Sequence, residues 1–93
     1  LTMGKRDAPY DAGLPVPFAR HIPGTGPAPV GEAEIFAMND QHAFVRLPEG
    51  SDWAVGDMIG SGISHPCTAF DKWRFLPVVS DDYDVTSGVL TEF

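Results

Sequence analysis

The sequence has one cysteine, Cys67, which excludes an internal disulfide and a four-cysteine zinc module. Positive charge is also scarce. Six Lys and Arg stand against 13 Asp and Glu, a formal charge of −7. Nucleic acid and anionic membranes are bound through Lys and Arg that displace counterions, so neither is an expected partner. No apolar run approaches the roughly 20 residues that span a bilayer. No charged segment followed by an apolar stretch opens the chain as a secretory signal would. These absences together give the expectation of a cytoplasmic protein. Helical periodicity is missing as well, and so is any internal repeat.

What remains is a 93-residue chain of 43% hydrophobic content, enough for one small globular domain. A chain of this size buries roughly 60–65% of its unfolded surface, so its core is modest. It begins at Leu1 rather than Met, as a piece of a longer protein would. Six of the nine prolines lie in the first 29 residues, with Gly4, Gly13, Gly24 and Gly26 among them. Proline fixes φ and removes an amide donor, so no helix or central strand is expected through Asp7–Val30. Residues 1–31 therefore read as an extended arm and 32–93 as a β domain. His21, inside the arm, reads as exposed and inert.

From Ala33 the pattern is that of strands. Ala33–Met38 and His42–Leu47 flank the turn-forming Asn39-Asp40-Gln41, a hairpin signal. Strict alternation places Ala33, Ile35 and Ala37 with Ala43, Val45 and Leu47 on one face. Asp57–Ile63, Trp73–Ser80 and Val85–Phe93 read as further strands. The expected fold is mainly β, a small barrel or curled sheet of about five short strands.

Chemistry concentrates at Ser64-His65-Pro66-Cys67-Thr68. An imidazole nitrogen and a thiolate are donors that zinc prefers. Pro66 favours an extended His65, and side chains at i and i+2 of an extended segment share a side, so one ion could bridge them. Two donors fall short of a structural zinc site, and the plainer alternative is a small buried cysteine beside a loop histidine. A Cys67 nucleophile with His65 as base is weaker, because neighbours on one extended segment do not point at each other. His42, just past the hairpin turn, is a candidate catalytic residue, or else a solvated strand-end histidine. Gly60-Ser61-Gly62 has no helix after it to complete a phosphate loop. Asp81, Asp82 and Asp84 lack the Gly and distal Glu of a calcium loop and read as a polar turn. Gly4-Lys5-Arg6-Asp7 is either a self-compensating surface cluster or, as the functional alternative, an ion-pair network or an anchor for a carboxylate or phosphate ligand. Phe18, Trp53, Trp73 and Phe93 are the apolar side chains expected at a surface that another domain covers.

Two stretches are familiar: GKRDAPYDAGLPVP at Gly4–Pro17 and GDMIGSGISHPCTAFDKWRFLPVV at Gly56–Val79. With the turn Asn39-Asp40-Gln41-His42-Ala43 between them, the chain resembles the C-terminal domain of the D-serine dehydratase/D-threonine aldolase-like family. Bacterial members of this group are often called amino acid deaminases. The architecture implied is like that of alanine racemase. An N-terminal α/β barrel, absent from this chain, carries pyridoxal phosphate, and a β-rich C-terminal domain closes over the active site.

The resemblance makes His65 and Cys67 zinc ligands beside that cofactor. Aldolases of the group have His-x-Asp at that place, so Cys67 points to the dehydratase branch. The implied reaction on a β-hydroxy D-amino acid such as D-serine is loss of the α-proton and the β-hydroxyl, the latter helped by zinc as a Lewis acid, and the aminoacrylate released would hydrolyse to a keto acid and ammonia. Neither Lys5 nor Lys72 suits a cofactor lysine, so the 93 residues alone are expected to be inactive. The implied partners are the barrel domain, a D-amino acid and a second subunit in a homodimer. A D-threonine aldolase-type lyase domain and a metal-free β interaction module are the alternatives.

Overall fold

The computed structural model describes residues 1–92, and among these the chain is mainly β, as expected. The order is β1 Val16–Ile22, β2 Gly26–Ala28, β3 Glu34–Met38, β4 Ala43–Arg46, β5 Met58–Gly62, α1 Cys67–Lys72, β6 Phe75–Val79 and β7 Val85–Leu90. The strands form three small antiparallel sheets, β2-β1-β5, β3-β4 and β6-β7. Of barrel and curled sheet, the second describes the molecule.

The proline-rich arm is the first correction. Its residues Val16–Ile22 make the middle strand of the largest sheet, so a boundary at residue 31 does not divide arm from sheet. The prolines survive because each sits where one side of a strand is free. Only Arg20, His21 and Ile22 face β2, while Pro17 faces β5 alone, at a register shift between Pro17 and Ala19. Pro27 lies on the edge strand β2. An edge or a bulge is where a missing amide donor costs least. His21 is corrected with the arm. It is a half-buried strand residue whose ring meets that of Tyr83, centroids 4.8 Å apart.

The hairpin forms where the pattern placed it, but its faces differ. Ile35 pairs with Val45 and Ala37 with Phe44, which leaves Phe36 as an extra residue in β3. One extra residue shifts the alternation. Ile35 and Met38 therefore both point inward and pack with Ala43, Met3 and Val45, while Phe36 is exposed with Arg46 over its ring. The other anchor is Arg20, 5% exposed, which ties β1 to the loop before β5. It donates from Nε to Asp57 Oδ2 at 2.9 Å and from its terminal nitrogens to Asp52 Oδ1 at 2.8 Å and the Asp52 carbonyl at 3.1 Å.

Between Gly62 and Phe75 the chain makes the second departure, the single turn-and-a-half helix α1. Pro66, at φ −72° and ψ −16°, caps it, and the Pro66 carbonyl accepts the Ala69 amide at 3.0 Å. Six residues are too few to show a helical period in sequence. No helix among the described residues is long and apolar enough to cross a membrane.

The domain is open for its size. A compact monomer of 10.0 kDa exposes about 5,200 Å². This chain exposes 6544 Å². Its radius of gyration is 13.9 Å, against about 12 Å for a compact chain of this length. Much of the excess lies on β6 and β7, which pack on no other described strand or helix and leave Phe75, Val79, Val85 and Leu90 exposed. Phe18 and Trp73 are exposed as expected and Trp53 is half-buried. Phe93, the fourth of that group, lies outside the described residues.

Candidate functional site

The site is built around the N-terminal segment, residues 4–13. Gly4 is buried against the hairpin turn, where a Cβ would collide with the backbone of Asp40 and Gln41. That close approach lets the Lys5 amide donate to the Asn39 carbonyl at 2.9 Å and the Arg6 amide to the Asp40 carbonyl at 3.0 Å. On its other side the same segment meets α1 and the residues flanking it. Lys72 Nζ donates to the Lys5 carbonyl at 3.2 Å and Trp73 Nε1 to the Arg6 carbonyl at 3.0 Å. Ser64 Oγ donates to the Gly13 carbonyl at 2.8 Å. His65 Nδ1 lies 2.7 Å from Asp11 Oδ2.

This last contact defines the chemistry available at His65. A carboxylate accepts only, so Nδ1 carries the proton and donates it. Nε2 of the neutral ring is then left with its lone pair for another partner. The bond from His65 holds the Asp11 carboxyl below the usual carboxylate range, against the opposing pull of desolvation. Cys67 is a free, exposed thiol. It opens α1 rather than continuing an extended segment, so the shared-side argument for His65 and Cys67 does not apply to the folded chain. What relates the two residues is the Pro66 corner between them. Among the described residues, no group of three or more His, Cys, Asp and Glu side chains could hold a metal ion.

His42 is exposed and stands in the wall shared by two clefts. The first, about 340 Å³, is lined by Thr2, Arg6, Asp7, Gln41, His42 and Trp73. The second, about 550 Å³, adds the apolar Leu1, Met3, Val55 and Ile59. Neither includes His65 or Cys67. The cluster Gly4–Asp7 is not an ion-pair network among the described residues: Lys5 sits over the Tyr10 ring, Arg6 over the Trp73 ring, and Asp7 accepts the Gly4 amide at 3.1 Å. The Gly60-Ser61-Gly62 run is plain strand within β5. Ser80 Oγ accepts the amides of Asp82 and Asp84, which makes their segment a polar turn.

Asp11 is the candidate residue that sequence reasoning passed over. It lies 54 positions from His65. Nothing in its own neighbourhood announces a partner, beyond its place within the first of the two familiar stretches.

The geometry meets one outside finding. A family model described as "Putative serine dehydratase domain" matches residues 1–79, most of the chain. No curated protein matches it.

Proposed function

The chain belongs to the serine dehydratase domain family, and from that premise we propose that it is the metal-bearing C-terminal domain of a D-amino acid dehydratase. The reaction would remove water from a β-hydroxy D-amino acid such as D-serine, and the aminoacrylate so formed would take up water again to yield a keto acid and ammonia. The observation that carries this reading is the 2.7 Å contact of His65 with Asp11. Histidines that bind zinc characteristically donate their other ring N–H to a carboxylate, which fixes the ring and raises its basicity. Cys67, two residues on and free, is the second donor that fits zinc.

Two protein donors suit a catalytic ion with open positions better than a closed structural one. Zinc bound there would supply Lewis acidity toward the departing β-hydroxyl. The rest belongs to the chain itself: Asp11 holds the His65 tautomer, the Pro66 corner sets His65 against α1, and Ser64 bonded to Gly13 fixes the backbone before it.

The lysines do not fit pyridoxal phosphate. Lys72 is engaged by the Lys5 carbonyl, Lys5 lies on Tyr10, and neither lines the clefts beside His42. The cofactor would be held by a separate α/β domain. The roughly 1,300 Å² of surface beyond that of a compact monomer supports such a neighbour, since a standard interface buries about 800 Å² per partner.

Cobalt(II), a spectroscopic stand-in for zinc, tests the site. One ion per chain should bind with a sulfur-to-metal charge-transfer band, more weakly than at a four-donor site. Cys67→Ala should abolish the band and His65→Ala the binding. Equal binding by the parent and the double variant would overturn the reading. In the intact protein the products separate dehydratase from aldolase: a keto acid and ammonia, or glycine and an aldehyde.

A further inference from the structure

The β6–β7 hairpin packs on no other described strand or helix, so contacts at its ends must fix its direction. Its base is tied. Trp73 Nε1 donates to the Arg6 carbonyl at 3.0 Å, and beside that anchor the Thr91 amide donates to the Arg74 carbonyl at 3.0 Å and closes the two strands. Its tip is the turn Ser80–Asp84, organised by Ser80. The Ser80 carbonyl accepts the Tyr83 amide at 2.9 Å, and the Ser80 amide donates to the Asp84 carbonyl at 2.9 Å. Ser80 Oγ accepts the amides of Asp82 and Asp84.

Within this turn Tyr83 has a φ of +66°, and among the described residues it is the one residue other than glycine with a positive φ. Left-handed backbone is costly for a side chain with a Cβ, and glycine, asparagine and aspartate are the residues that usually take it. A bulky aromatic there persists when the surroundings over-determine it. The compensating contact is with β1. The half-buried Tyr83 ring meets that of His21, centroids 4.8 Å apart and planes tilted by 56°, a favourable arrangement for two rings. His21 Nδ1 is buried without a hydrogen-bond partner among the described residues, so no polar bond at that atom sets the imidazole. We propose that Tyr83 is a pin. Its ring on His21 holds the β6–β7 hairpin to the largest sheet as a strap, fixed at its base by Trp73 and at its tip by Tyr83, and the strap swings about its base when the pin is drawn. Pinned, it offers the exposed Phe75, Val79, Val85 and Leu90 in one fixed direction. The device needs neither the metal nor the dehydratase chemistry.

Backbone nitrogen relaxation tests it, with dispersion measurements for slower swinging and with β3 and β4 as the internal standard. Rigid backbone has an order parameter of about 0.85 and flexible backbone one below about 0.6. In the parent, the amides of the tip and of β6 and β7 should match those of β3 and β4. Tyr83→Asn suits the left-handed backbone but removes the ring. It should take the tip below about 0.6, or bring it into microsecond-to-millisecond exchange, and draw β6 and β7 with it. Tyr83→Phe, which keeps the ring, should behave as the parent. His21→Val keeps a strand-forming residue in β1 without a ring and leaves the turn untouched. It should loosen the tip as much as Tyr83→Asn does, and the double variant should go no further. A tip that stays rigid in either single variant would overturn the pin, as would a parent tip already as mobile as the variants. Loosening confined to the turn, with β6 and β7 unchanged, would overturn the strap.

Discussion

Removing the carboxylate of Asp11 separates a metal-binding His65 from a histidine that merely caps a surface acid. Loss of a carboxylate behind a metal-bound histidine costs about 10–100-fold in affinity. The structure places this case at the lower end. The Asp11 side chain is 58% exposed and that of His65 40%, so water replaces the lost acceptor at little cost. Asp11→Ala should therefore weaken zinc binding about tenfold. Asp11→Asn keeps an oxygen that accepts the Nδ1 proton but drops the charge, and its effect should fall between those of parent and alanine variant. Isothermal titration with zinc, or competition against a chelating dye, measures both. The pH must be held well above the range in which imidazole takes a second proton, because a charged ring cannot ligate. Since the Asp11–His65 contact is exposed, the thermal midpoint of both variants should stay close to that of the parent. An Asp11→Ala protein binding zinc within about twofold of the parent would refute the reasoning, for it would mean that the His65 ring is not oriented by this contact toward a metal.

The bulge in β3 predicts an asymmetry between neighbours: Met38→Ala should cost about 2 kcal/mol and lower the melting point by roughly 10 °C, while Ala37→Ser should change it little. Equal shifts in circular-dichroism melts would restore the regular alternation. Gly4→Ala should destabilise by about 1–3 kcal/mol, since the obstructing atoms are backbone and cannot rotate away. Amide exchange should then quicken at Lys5 and Arg6 first. The amide of Ala54 above all, then Arg20, hold Asp57 below the usual carboxylate range, against a desolvation that pulls the other way. A carboxyl lowered by folding stabilises the fold above its unfolded value, near pH 4, and that contribution is lost as pH falls through the folded value. The melting point should accordingly fall below about pH 4, and Asp57→Asn, which has no proton to take up, should flatten that slope.

The hairpin and the three later strands were legible because turn residues and β-branched runs act locally. The role of Val16–Ile22 was not, because proline counts against a strand only where both its sides are paired. That is decided by the length of β2, a property of another segment. The inward turn of Met38 was hidden for a similar reason: a bulge leaves composition unchanged and alters only which residues face each other. At the site, His65 and Cys67 could be read as donors from residue type and spacing, but the geometry assumed for them failed at α1. The contact of Asp11 with His65 is long-range, as is the placing of Arg6 and His42 in one cleft wall, and no local signal encodes either.

The two familiar stretches of sequence, Gly4–Pro17 and Gly56–Val79, become intelligible once folded. They meet along one seam, joined by Lys5 with Lys72, Arg6 with Trp73, Asp11 with His65 and Gly13 with Ser64. All four bonds are exposed to water. Exposed bonds of this kind contribute little to stability, because water competes for the same groups. The same bonds strengthen when a covering surface excludes water and lowers the local dielectric. A seam that carries the candidate ligands and also needs cover is what a domain that completes a site against a neighbour requires. Zinc affinity should therefore be weak in the 93-residue chain and rise in the intact protein, with the Asp11→Ala penalty growing in step. If the penalty were the same in both, the seam would gain nothing from a neighbour, and the surplus surface of this chain would have to serve another purpose.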